Sequence, residues 1–162
     1  MARRYGRAPR GERCRLAVAH GHYKTTTLTA ALRSDGLCAT TLFDGATNGA
    51  RFRAYVADTL VPVLRPGDTV ILDNLQAHKV TGVREAVEAA GARLLYLPPY
   101  SPDFDPIEQI FAKLKGLLRP AAARTIPDLW QSIRQAFARF TADECRNCLA
   151  AAGYNTDLAV AT

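Results

Sequence analysis

Thr69-Val70-Ile71-Leu72-Asp73-Asn74 is a short, unbroken apolar run that stops on an acid and an amide. With no polar alternation, such a run predicts a strand buried on both faces and paired in parallel. Just upstream, Arg65-Pro66-Gly67-Asp68 breaks the preceding element. Downstream, a helix is expected from about residue 81 to 90, closed by Gly91, which tolerates the left-handed conformation at a helix end. Residues 93–97 form the next strand, cut off by Pro98-Pro99 because neither proline can donate to a ladder.

The flanks extend this parallel unit in both directions. Three β-like runs precede it, at residues 15–20, 25–32 and 37–43, and Ser34-Asp35-Gly36 supplies a hairpin turn between the last two. Asn48 is placed to cap a helix reaching about residue 64, with Phe52, Tyr55, Val56, Leu60 and Val63 on one face. After the loop at residues 100–105, a helix over 106–119 buries Ile107, Ile110, Phe111, Leu114, Leu117 and Leu118. Two further helices follow, over 127–140 and from Thr141 to Gly153, the second opened by a Thr141–Glu144 capping box. The order β-β-β-α-β-α-β-α-α-α predicts an α/β fold: an antiparallel section feeding a parallel one, with helices on both faces. Residues 1–13 are read as an irregular basic arm and 14–162 as a single domain.

Length and charge narrow the function classes. A chain of 162 residues with 48% hydrophobic and 22% charged residues suits one globular core and argues against disorder. It has no apolar run of the roughly 18 residues that a membrane span requires, nor a secretory signal, so the expectation is a cytoplasmic protein with no membrane partner. The net charge of +6 is concentrated at the start, where six arginines against Glu12 give residues 1–15 a local +5. Arg3, Arg4, Arg7 and Arg10 are therefore candidate phosphate contacts, sequence-independent and salt-sensitive; a solvated, solubilising tail is the competing reading. Cys145 and Cys148 form a C-x-x-C, but Cys14 and Cys38 do not complete a zinc pattern, so reduced thiols are expected.

Asp73 ends a parallel strand, the edge at which open α/β sheets hold their ligands, although an acid there also caps turns. Glu108 follows Asp105-Pro106 in an ordinary helix start, where it could simply bond a backbone amide. Its place at the margin of the apolar face also lets it point along the sheet toward Asp73. Two neighbouring carboxylates repel unless one protonates or a cation lies between them, and hard oxygen donors suit Mg²⁺ or Mn²⁺. Such ions serve phosphoryl transfer, so paired acids beside a basic arm point to nucleic-acid chemistry.

Ile71-Leu72-Asp73-Asn74, His78-Lys79, Leu97-Pro98-Pro99-Tyr100-Ser101-Pro102-Asp103 and Asp105-Pro106-Ile107-Glu108 together resemble the catalytic domain of DDE transposases. The nearest branch is the bacterial insertion-sequence members of the mariner-like superfamily. The 34 residues between Asp73 and Glu108 agree with the interval between that group's second and third acids. The resemblance implies a ribonuclease H-like mixed sheet and a two-ion Mg²⁺ or Mn²⁺ site with Asp73 and Glu108 as catalytic metal ligands. It also implies cleavage of insertion-sequence ends followed by strand transfer into target DNA, with DNA as partner and a homodimer as assembly. His78 matches a histidine common after the second acid, and with Lys79 and Lys115 it joins the expected DNA contacts. Such an enzyme would act at the bacterial nucleoid.

The sequence departs from that pattern at Asp105, where Asn is common, and at Phe111, where Trp is common. Neither Asp35 nor Asp44 stands at the first acidic position, so the chain is expected to be partial and to lack the first strand. A frameshift product completed by an upstream-frame partner, a decayed copy, or an internal start would each account for this. The isolated polypeptide is then expected to aggregate or dimerise through exposed strand edges and to cleave no DNA. The competing function is a non-catalytic DNA-binding or dimerisation remnant of a transposase.

Overall fold

The structure is a computed structural model that describes residues 7–15, 25–123 and 125–154. The elements run β1 (Thr26–Arg33), β2 (Gly36–Asp44), α1 (Gly49–Tyr55), β3 (Thr69–Leu72), α2 (Val83–Ala89), β4 (Arg93–Tyr96), α3 (Ile107–Ala121), α4 (Ile126–Phe137) and α5 (Ala142–Ala151). This is the expected order from the second strand onward. Residues 16–20 of the first expected strand lie outside the described residues, as do Arg3 and Arg4.

β1 and β2 form an antiparallel hairpin, in register from Thr26 opposite Asp44 to Arg33 opposite Gly36, with an irregularity between Thr29 and Ala31. β3 and β4 pair in parallel, Thr69 beside Arg93 through Leu72 beside Tyr96. The two ladders do not join: among the described residues the sheet exists as two separate two-stranded halves. One reading from the sequence needs correction here. The Thr69–Leu72 strand is parallel, but it is half-buried and exposed at Thr69 rather than buried on both faces; among the described residues only β4 pairs with it.

Two apolar clusters hold these halves. Phe52, Tyr55, Val56 and Leu60 pack with Val83 and Val87 of α2, Leu94 of β4 and Ala39 of β2. Leu114 and Leu118 of α3 pack with Ile133 and Ala136 of α4, joined by Leu28 and Leu42, which are cross-strand partners in the hairpin. The hairpin thus contributes to both clusters. Among the described residues no helix is long and apolar enough to cross a membrane.

Local chemistry explains the element boundaries. The Asn48 side-chain oxygen accepts from the Arg51 N–H at 2.9 Å and starts α1. Beyond Tyr55 the helix widens into a π turn (Val56–Leu60) and then tightens into a 3₁₀ turn (Val61–Val63). That change of pitch rotates the apolar stripe, so Val63 is 39% exposed instead of sharing the buried face of Phe52 and Leu60. α2 begins two residues later than its pattern suggests, because Gly82 sits at φ +95°, outside helical geometry. On α3, Ile110, Leu114 and Leu118 are buried as the periodicity predicts. Thr141 and Glu144 form the expected capping box of α5. Cys145 is buried and Cys148 half-buried, both free, and burial pushes both thiols up toward their less reactive protonated form.

Candidate active site

Asp73 directly follows β3, where the parallel ladder stops. Its Oδ1 accepts from the Leu75 N–H at 3.1 Å, so the acid does cap a tight turn. The same oxygen lies 2.5 Å from His78 Nδ1. The approach lacks hydrogen-bond directionality, and among the described residues the buried Nδ1 has no aligned acceptor.

His78 is held by two aromatic neighbours. Its ring lies over Phe52 of α1 with centroids 4.0 Å apart, and its backbone carbonyl accepts from the Tyr96 hydroxyl at 3.0 Å. Gly49 makes the first of these possible, since a Cβ there would fall 2.3 Å from Val80 Cγ1 and push α1 away from the turn that carries His78. Lys79 is exposed and places its ammonium over the Tyr96 ring, 5.7 Å from the centroid.

Asp105 and Glu108 arrive from the start of α3. The Asp105 carboxylate is half-buried and bonds the Ile107 N–H. Its pKa is raised, chiefly by burial, with the Glu108 and Asp73 carboxylates adding to the rise and the Ile107 N–H and His78 opposing it. Glu108 is exposed in the first turn, and no side chain caps Pro106. The loop before Asp105 is tied down by Tyr154, whose hydroxyl donates to the Phe104 carbonyl at 2.7 Å.

These acids border one cleft of about 390 Å³. Asp73, His78, Asp105 and Glu108 stand along its lining, which continues between β1 and β3. The fold therefore brings the two sequence-predicted acids and His78 to a common cavity. Lys115 is exposed on α3, and Arg7 and Arg10 are exposed in the described part of the arm. From the sequence, Asp105 is only the N-cap of the helix that carries Glu108. Its spacing of one helical turn from Glu108 was the available signal. Periodicity places Tyr55 in the core but says nothing of its buried hydroxyl, which borders this cleft and has no partner among the described residues.

Carboxylate oxygens are the right donors for a hard divalent cation, and their crowding around Asp105 is the charge density that such an ion relieves. Yet among the described residues no three His, Cys, Asp or Glu side chains stand close enough together to hold a metal. Asp73 and Glu108 offer oxygen donors of the type such an ion takes.

A profile of the family described as DDE superfamily endonuclease matches residues 1–130. A comparison with curated proteins finds no match. Among solved structures, the Mos1 mariner paired-end complex with Mn is similar at TM-score 0.75 and 19% identity, over 94% of this chain and 52% of that one. The catalytic domain of Mos1 mariner transposase is similar at TM-score 0.65 and 19% identity, over 82% of this chain and 76% of that one. The same catalytic domain with Raltegravir and Mg gives TM-score 0.62 at 22% identity, over 83% and 78%. The chain spans about half the length of the transposase in the full complexes. A mixed α/β architecture shared with the Mos1 catalytic domain and a family profile over most of the sequence lead to one conclusion: this chain has a ribonuclease H-like fold of the mariner type and belongs to the DDE superfamily endonuclease family.

Proposed function

We propose that this chain is a transposase catalytic domain that handles phosphodiester bonds at the ends of a mobile DNA element and in its target. The observation that carries the reading is the convergence of Asp73, His78, Asp105 and Glu108 on one cleft beside the end of a parallel strand. Asp73 and Glu108 would hold Mg²⁺ or Mn²⁺, which when bound acidifies water and neutralises charge building on a phosphate. His78, held by Phe52 and Tyr96, lies against the Asp73 carboxylate at the mouth of the site. Asp105 keeps the start of α3 in place through the Ile107 amide and so sets the position of Glu108. Lys79 and Lys115, with Arg3, Arg4, Arg7 and Arg10 of the arm, supply the positive charge that draws in a DNA backbone.

Calorimetric titration with Mn²⁺ tests the assignment. Asp73→Ala and Glu108→Ala are each expected to weaken binding at least tenfold, with the far-ultraviolet spectrum unchanged. If neither substitution alters the titration, these acids are not the ligands.

A second reading is favoured by the lack of a complete three-ligand cluster among the described residues: a non-catalytic DNA-binding remnant. It predicts salt-sensitive DNA binding that is indifferent to Mn²⁺ and to both alanine substitutions.

A further inference from the structure

Tyr100, in the loop between β4 and α3, is fully exposed and has a left-handed backbone at φ +57°. A lone exposed aromatic is ordinary on a protein surface. A bulky side chain at positive φ is not: the conformation is costly and persists only where the surroundings impose it, a feature that gathers at ligand contacts.

Here the surroundings do impose it. Pro98, Pro99 and Pro102 fix φ on both sides of the residue. The Ser101 hydroxyl donates to the Pro99 carbonyl at 3.3 Å, and the Asp105 N–H donates to the Pro102 carbonyl at 2.9 Å. Tyr154 anchors the far end of the loop at the Phe104 carbonyl. The ring therefore stands on a stiff support, and little conformational entropy is lost when a ligand covers it.

The loop also has a definite place at the candidate site. The Leu97 N–H donates to the Leu72 carbonyl at 2.8 Å, so the chain leaves the sheet beside Asp73. Three residues from Leu97 to Tyr100 span at most about 11 Å, a few nucleotides of a strand that rises about 3.4 Å per phosphate in duplex form. The same rim is basic. Lys79 and Arg84, both exposed, each carry their charge 5.7 Å from the ring centre of Tyr96, which ends β4 opposite Leu72. Cations for phosphates beside an exposed ring for a base form the combination that binds an unpaired nucleic-acid strand. A base inside a duplex has both faces stacked already and offers the ring nothing.

We propose that Tyr100 is a stacking platform for one unpaired base of the DNA strand whose phosphate lies at Asp73 and Glu108, while Lys79 and Arg84 hold neighbouring phosphates. The substrate is thus a strand splayed out of its duplex at the site. This rests on the proposed DNA chemistry and adds the form of the substrate to it. Binding is measured without metal, so a failure here leaves the Mn²⁺ titration of Asp73 and Glu108 to stand or fall separately.

The probe is a fluorescently labelled single strand of about twelve nucleotides, compared by anisotropy with the same strand in a blunt duplex and with an abasic strand of equal length. Tyr100→Ala should weaken binding of the single strand by about fivefold or more, the least expected when a stacked base is lost, and Tyr100→Trp should restore it. The loss should shrink on the duplex and vanish on the abasic strand, which keeps every phosphate. Tyr100→Gly, which also relieves the left-handed conformation, should lose the same affinity without lowering the midpoint of urea unfolding. Wild-type protein that fails to bind the single strand, or a Tyr100→Ala loss equal on all three probes, would overturn the proposal. So would a sedimenting dimer that Tyr100→Ala dissociates while single-strand affinity stays unchanged, since the ring would then serve a second copy of the chain.

Discussion

Replacing Tyr55 by phenylalanine removes one oxygen and is expected to stabilise the free protein. The phenol is buried beside Phe52, with ring centroids 5.8 Å apart, and its hydroxyl has no partner among the described residues. A buried polar group without a partner costs about 1–3 kcal/mol, so Tyr55→Phe should gain roughly 1 kcal/mol at pH 7. The pH dependence makes the test sharper. Burial is the first cause that raises the Tyr55 pKa, with the Cys38 charge adding to it. A group whose folded pKa is raised contributes stability that is fully present below the unfolded value and lost as pH rises toward the folded one. Relative to neutral pH, an unfolded tyrosine titrating near pH 10 costs the native protein about 1.4 kcal/mol at pH 11 through this single group. Urea unfolding followed by circular dichroism, run on both proteins at pH 7 and pH 11, should show the gap between them widening by that amount. A phenylalanine variant less stable at pH 7, or a gap that stays constant to pH 11, would refute the argument.

Gly49→Ala should destabilise the fold by about 1–3 kcal/mol through overpacking against Val80, and Val80→Ala in the same chain should recover part of the loss in thermal melts. Thr141→Ala removes the capping oxygen that accepts from the Glu144 N–H at 3.2 Å, and denaturant titration should report a loss of about 1 kcal/mol. Leu114→Ala, in the cluster between α3 and α4, should cost about 2–5 kcal/mol by the same measure. Removing Arg7 and Arg10 together should flatten the slope of log affinity for duplex DNA against log salt by about 2, as read by fluorescence anisotropy. An unchanged slope would mean that these residues leave the phosphates untouched.

Much of this architecture is legible along the chain because local physics decides it. Pro98-Pro99 ends β4, Gly91 closes α2, Asn48 and Thr141 start their helices, and the Ile110-Leu114-Leu118 spacing marks the buried face of α3. The exceptions are also local, but they need coordinates. A π turn following Tyr55 moved Val63 to the surface, and Gly82 at φ +95° delayed α2. Neither departure leaves a trace in hydrophobic periodicity.

The sequence by itself determined the residue types and intervals: an acid at the end of a parallel strand, a second acid at the next helix start, and a basic arm. Only the tertiary structure decided that Asp105 belongs with them, that His78 lies between Phe52 and Asp73, and that β1 and β3 border the same cleft. The reason is that capping and periodicity act over a few residues and are written in neighbouring side chains. The proximity of two carboxylates, or of two strands, depends on how distant segments pack.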